Sequence, residues 1–85
     1  MQFSHKSIMS EHLGDEIYQQ RYQEFLQRLK AARLEAGLTQ QEVAERLGKN
    51  QSFVSRSEQG ERRVDIVELQ AFATIYQKTV NYFAV

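Results

Sequence analysis

Three glycines, Gly37, Gly48 and Gly60, stand eleven and twelve residues apart in a chain that contains no proline. Glycine closes a helix in the left-handed conformation without a Cβ penalty. This spacing therefore allows two central helices of at most about nine residues between longer flanking segments. Isolated helices that short are marginal in water, so packing against the rest of the chain has to hold them. No strand-like alternation persists and no Asn-Gly or Asp-Gly hairpin signal occurs. The expected class is all-α.

The second of these helices lies in "GKNQSFVSRSEQGER", residues 48–62, where only Phe53 and Val54 are large and apolar. An 85-residue chain forms one domain, and folding buries only about 60–65% of the surface its unfolded form exposes. A core that small gains little from so polar a helix, which points to a use for its outer face.

The remaining elements follow from periodicity and caps. Ile17, Tyr18, Tyr22, Phe25, Leu26, Leu29, Ala32, Arg33 and Ala36 recur at spacings of three and four, predicting a first helix over residues 16–36 with Asp15 as its N-cap. Thr39 and Glu42 form a capping box for a second helix that buries Val43, Ala44 and Leu47. Asn50 caps the third, which Gly60 ends. Asp65 and Glu68 open a fourth that buries Ile66, Leu69, Phe72, Ala73 and Tyr76, and Thr79 caps a short fifth in "TVNYFAV". Residues 1–14 show no periodicity and are expected to be frayed; they also lack the basic and apolar regions of a signal peptide.

The net charge is zero, but its distribution is uneven. Residues 46–63 carry five basic side chains (Arg46, Lys49, Arg56, Arg62, Arg63) against two acidic ones, a local charge of +3 around the polar helix. A phosphate responds to the local field rather than to the total. No cysteine is available for a disulfide or thiolate metal site, and no apolar run approaches the ~18 residues of a membrane span. His5 and His12, seven apart, match no metal spacing, and no nucleophile–base set or phosphate-cradling loop occurs. Neither a cofactor nor an enzymatic activity is expected.

Two short helices joined by the three residues "GKN" have the form of a helix-turn-helix. The ordered set Arg33, Gly37, Leu38-Thr39-Gln40, Ala44, Gly48, Gln51-Ser52, Val54-Ser55, Glu58 and Gly60 resembles the lambda-repressor-like (Cro/repressor, XRE) helix-turn-helix family over residues 25–80, about two thirds of the chain. The resemblance implies a five-helix lambda-repressor-like DNA-binding domain over residues 15–85, with an extended first helix and its motif at residues 39–60. It implies a cytoplasmic, nucleoid-associated transcriptional regulator whose third helix lies in the major groove of double-stranded DNA. Gln51, Ser52, Ser55 and Arg56 would face bases, since Gln pairs with adenine, Arg with guanine and Ser with either. Gln40, Lys49, Asn50, Gln59, Arg62 and Arg63 would contact phosphates. Arg33 and Glu58 would form a structural ion pair between helices 1 and 3. Phe53 would either touch a thymine methyl or pack along helix 3.

Ser57 departs from the family, which carries a large apolar or aromatic residue there. A fully buried Ser at that position forgoes about 1.5–3 kcal/mol of burial; either the site lies at a rim or other aromatics fill the gap. The aromatics Tyr18, Tyr22, Phe25, Phe72, Tyr76, Tyr82 and Phe83 fall at core spacing. Residues 76–85 are apolar for a terminus, and Tyr76, Val80, Tyr82, Phe83 and Val85 are candidates for a homodimer interface on a palindromic operator. The alternative is a protein-interaction module on the same fold, an antitoxin-like or phage-borne partner protein, which the neutral net charge and apolar terminus would suit.

Overall fold

The computed structural model describes the backbone of residues 2–85 and the side chains of residues 14–85. Four α-helices, α1 (Gln2–Glu35), α2 (Gln40–Leu47), α3 (Gln51–Gln59) and α4 (Ile66–Tyr76), are followed by a 3₁₀ turn at Val80–Phe83, with no strand among the described residues. The class is all-α as expected, and the fifth helix is this single 3₁₀ turn. α1 begins well before residue 16, so Asp15 lies inside it rather than capping it. Only one glycine, Gly14, interrupts that run, and an interior glycine costs about 1 kcal/mol against alanine without ending a helix. The reading of residues 1–14 as frayed, and that of His5 and His12, fall on side chains outside those described.

The caps expected for α2, α3 and α4 form, whereas the Thr79 side chain makes no cap hydrogen bond to the 3₁₀ turn. Thr39 accepts from the Glu42 N–H at 3.1 Å while Glu42 accepts from the Thr39 N–H at 2.9 Å. Asp65 and Glu68 reciprocate in the same way at 2.8 and 3.0 Å. Asn50 accepts from the Phe53 N–H at 3.1 Å to start α3. The C-terminus of α4 is unlike the others: Gln77 takes the left-handed conformation (φ 58°) that glycine takes after α2 and α3.

The core collects Leu29 and Ala32 of α1, Val43 and Ala44 of α2, Val54 of α3, Phe72, Ala73 and Tyr76 of α4, and Phe83 of the 3₁₀ turn. Rings run through it, with Phe53–Phe72 centroids at 6.4 Å, Phe72–Tyr76 at 5.9 Å and Phe25–Phe83 at 6.4 Å. Tyr76 and Phe83, expected at a dimer surface, are only 3% and 1% exposed, because Tyr76 on α4 packs into the core and Phe83 on the 3₁₀ turn packs against Phe25 of α1. Burial drives the Tyr76 hydroxyl pKa well above its ordinary value, and among the described residues this hydroxyl has no hydrogen-bond partner. Ile66, expected inside, is 58% exposed. It lines an open cleft with Tyr22, Phe25, Val64, Asp65 and Leu69 that no further element covers among the described residues.

Gly60 is left-handed (φ +79°), and a methyl group there would come within 2.9 Å of Leu26 Cδ1. Gly60→Ala is expected to lower the unfolding free energy by about 1–2 kcal/mol, the left-handed penalty of a Cβ. Gln77→Gly removes the same penalty at α4 and is expected to raise it by about 0.5–1 kcal/mol after glycine's entropic cost. Urea unfolding of both variants checks the pair of opposite signs.

Candidate nucleic-acid interface

The interface is built outward from one buried ion pair. Arg33, near the end of α1, donates from Nε to Glu58 Oε2 at 2.6 Å and from Nη2 to Glu58 Oε1 at 3.1 Å. Its remaining arm, Nη1, donates to the Leu38 carbonyl at 2.9 Å. The side chains are 9% and 3% exposed, so α1, the turn into α2 and the end of α3 meet at one desolvated cation. The hydrogen bonds that Arg33 donates to Glu58 raise the Arg33 pKa above its ordinary value, outweighing the opposing effect of burial. Removing one partner of such a pair typically costs about 3–5 kcal/mol, because the other is left buried and uncompensated.

From Glu58 a hydrogen-bonded chain leads to the surface. An ionised carboxylate only accepts, so Gln40 presents its Nε2 to Glu58 Oε1, at 3.0 Å. Its carbonyl end is thereby turned to Gln51, accepting from Gln51 Nε2 at 2.6 Å. The orientation of both amides follows from the charge of Glu58. Gln51, exposed at the first position of α3, keeps one N–H and its Oε1 outside the bond to Gln40.

The other expected contact residues occupy the same short helix and its flanks. Ser52 is exposed and donates to Asn50 Oδ1 at 2.7 Å, so the Asn50 oxygen serves the helix start while its amino group stays open. Arg56 is exposed, Ser55 is half-buried, and Gln59 donates to Ser55 Oγ at 3.2 Å. Lys49 is exposed, its Nζ 5.4 Å from the centre of the Phe53 ring. Phe53 itself is half-buried between Phe72 and two cations, which fits packing along α3.

Arg62, expected at a phosphate, is engaged within the protein and half-buried. Its guanidinium lies 4.1 Å over the Phe53 ring and donates to Glu68 Oε1 and Oε2 at 3.1 and 2.8 Å. It also donates to Ser57 Oγ at 3.2 Å. Ser57 is fully buried rather than at a rim, and its hydroxyl donates to the Phe53 carbonyl at 2.7 Å. Where the family places a large side chain, this chain places a small hydroxyl and draws Arg62 inward onto it. Arg63, one residue on, is exposed, its guanidinium 4.4 Å over the Tyr22 ring and 5.2 Å over that of Tyr18. Periodicity had assigned those tyrosines to the core, and no local signal pairs residues so far apart in the chain.

Comparison with known proteins agrees with this geometry. The family described as helix-turn-helix matches residues 29–83. A solved structure of an XRE-family like protein from Pseudomonas syringae pv. tomato str. DC3000 is similar at a TM-score of 0.79 and 41% identity, over 84% of this chain and 87% of that one. No curated protein matches the chain. Among the described residues, no helix is long and apolar enough to cross a membrane.

The hydrogen bonds from Arg62 hold the Glu68 carboxyl below its ordinary value of 4.5, outweighing burial, which pushes it up. A carboxyl depressed on folding adds stability that is complete above its unfolded pKa and is lost as pH falls through the folded one. Glu68→Gln keeps a capping side chain but removes that titration. Its unfolding free energy is expected to fall less steeply than the parent's below about pH 4.5. Denaturant titrations between about pH 3 and 6 check this, and identical slopes would contradict the Arg62–Glu68 pairing.

Proposed function

The chain belongs to the XRE-like helix-turn-helix family of DNA-binding regulators, and on that premise we propose a sequence-specific regulator that reads duplex DNA with α3 in the major groove. The observation that carries this reading is the fixed amide of Gln51. A side-by-side donor and acceptor matches the N7 and N6 edge of adenine, and the chain from Glu58 through Gln40 holds them in that order. Arg56, exposed four residues after Ser52, supplies the fork that suits the O6 and N7 edge of guanine. Ser52 and Ser55 accompany them.

Phosphate contacts would position the helix without reading sequence. Lys49, Asn50, Gln59 and Arg63 remain for that role, with Gln40 reaching a backbone oxygen from the start of α2. Arg62 is set aside, because Glu68 neutralises its charge and three of its five N–H groups are used within the protein.

A module of this size reads few base pairs, so two copies on a palindrome about one helical turn apart form the functional unit. Support for a C-terminal contact comes from Arg28, whose Nη1 donates to the carbonyls of Tyr82 and Ala84 at 3.0 and 2.9 Å and pins that segment to α1. With Tyr76 and Phe83 inside, Val80, Tyr82 and Val85 are the side chains left to meet a second copy. A sizing run reads the oligomeric state.

Selection of bound duplexes from a random pool tests the proposal. The expected product is a two-fold symmetric site on which Gln51→Ala and Arg56→Ala each lose about 1–3 kcal/mol of binding. Unchanged affinity of both variants for the selected site would reject the assignment of α3.

A further inference from the structure

The geometry points to Tyr18 and Tyr22 as positioning residues that hold Arg63 as a phosphate clamp at the exit of α3, which makes the extended part of α1 a component of the DNA interface. The inference rests on the DNA-binding reading above.

The contrast between the two adjacent arginines carries it. Arg62 uses the face of its guanidinium on Phe53 and its N–H groups on Ser57 and Glu68. Glu68 neutralises its charge, and three of its five N–H groups are used within the protein. Arg63 uses only its face. It lies over Tyr22 at 4.4 Å and Tyr18 at 5.2 Å, and among the described residues no acceptor takes its N–H groups. A cation over an aromatic ring keeps its in-plane donors, and the planar fork they form matches a phosphate bidentately.

The two rings are built to hold that plane still. One turn apart on α1, they stack with centroids 6.1 Å apart and 26° between planes. Tyr22 packs on Phe25 at 5.3 Å, which anchors the slab to the core. The Tyr22 hydroxyl accepts the Val64 N–H at 3.2 Å, so the side chain that carries the guanidinium also fixes the backbone beside it. Of the carboxylates close in sequence, Asp65 accepts the Glu68 N–H and Glu68 pairs with Arg62, while Glu61 is exposed and, among the described residues, forms no ion pair with Arg63. Tyr18 is 51% exposed and adds little to the core, so its removal separates positioning from folding.

The test is a cycle of variants binding random duplex DNA across salt concentrations. Tyr18→Ala is expected to weaken binding roughly two- to five-fold, the range of an exposed cation–π contact, with an unshifted melting midpoint. Tyr18→Phe restores the ring face and the affinity. Arg63→Ala lowers the slope of log affinity against log salt by about one, and Tyr18→Ala added to it has no further effect. An equal loss from Tyr18→Ala with and without Arg63, or an unchanged slope in Arg63→Ala, would overturn the clamp alone. A parent protein that does not bind duplex DNA at all overturns the DNA-binding reading and the clamp with it.

Discussion

The buried Arg33–Glu58 pair is the constraint on which the rest of the structure depends. Three hydrogen bonds from one guanidinium join the end of α1, the carbonyl of Leu38 and the end of α3. Two helices of eight and nine residues are too short to persist alone, and this junction locks one of them to the longest helix in the chain. It also explains how α3 can be so polar. Its buried side chains are Val54, Ser57 and Glu58, of which only one is apolar. Hydrogen bonding and charge therefore do on this inner face what a larger apolar surface does elsewhere.

The same pair sets the chemistry of the outer face. Because Glu58 only accepts, Gln40 must donate to it, and Gln51 must then donate to Gln40. In the proposed complex, a charge inside the protein would thus determine which edge of an amide meets the groove. On the proposed reading, such a chain would keep the Gln51 amide in one orientation before DNA arrives and so reduce the ordering cost on binding. A second inward tie acts in the same last turn of α3, where Arg62 joins Ser57 to Glu68 and so links the exit of the helix to the capping box of α4.

Much of this was legible in the sequence because it is local. The capping pairs Thr39–Glu42 and Asp65–Glu68, the Asn50 cap and the closing glycines each need only a few adjacent residues, and each formed. The Arg33–Glu58 pair was legible through family resemblance rather than spacing. What stayed hidden depends on long-range packing. The destination of Arg62 follows from Ser57 being buried, which no local pattern reveals. The exposure of Ile66 depends on which surface α1 offers to α4, and core spacing alone did not decide whether Tyr76 and Phe83 served the core or a second copy. Gln77 ends α4 in a conformation that glycine would have announced. The meeting of Arg63 with Tyr18 and Tyr22 joins segments some forty residues apart.

The link that carries the central claim is Gln40, half-buried between the ion pair and the surface. The most direct measurement is the ratio of affinity for the selected site to affinity for random duplex in Gln40→Ala, beside its melting midpoint. Loss of a phosphate contact would lower both affinities alike, whereas loss of the hold on Gln51 lowers the selected site more. A reduced ratio with the fold intact is the expected result. An unchanged ratio would contradict the claim that Glu58 orients the reading amide through Gln40.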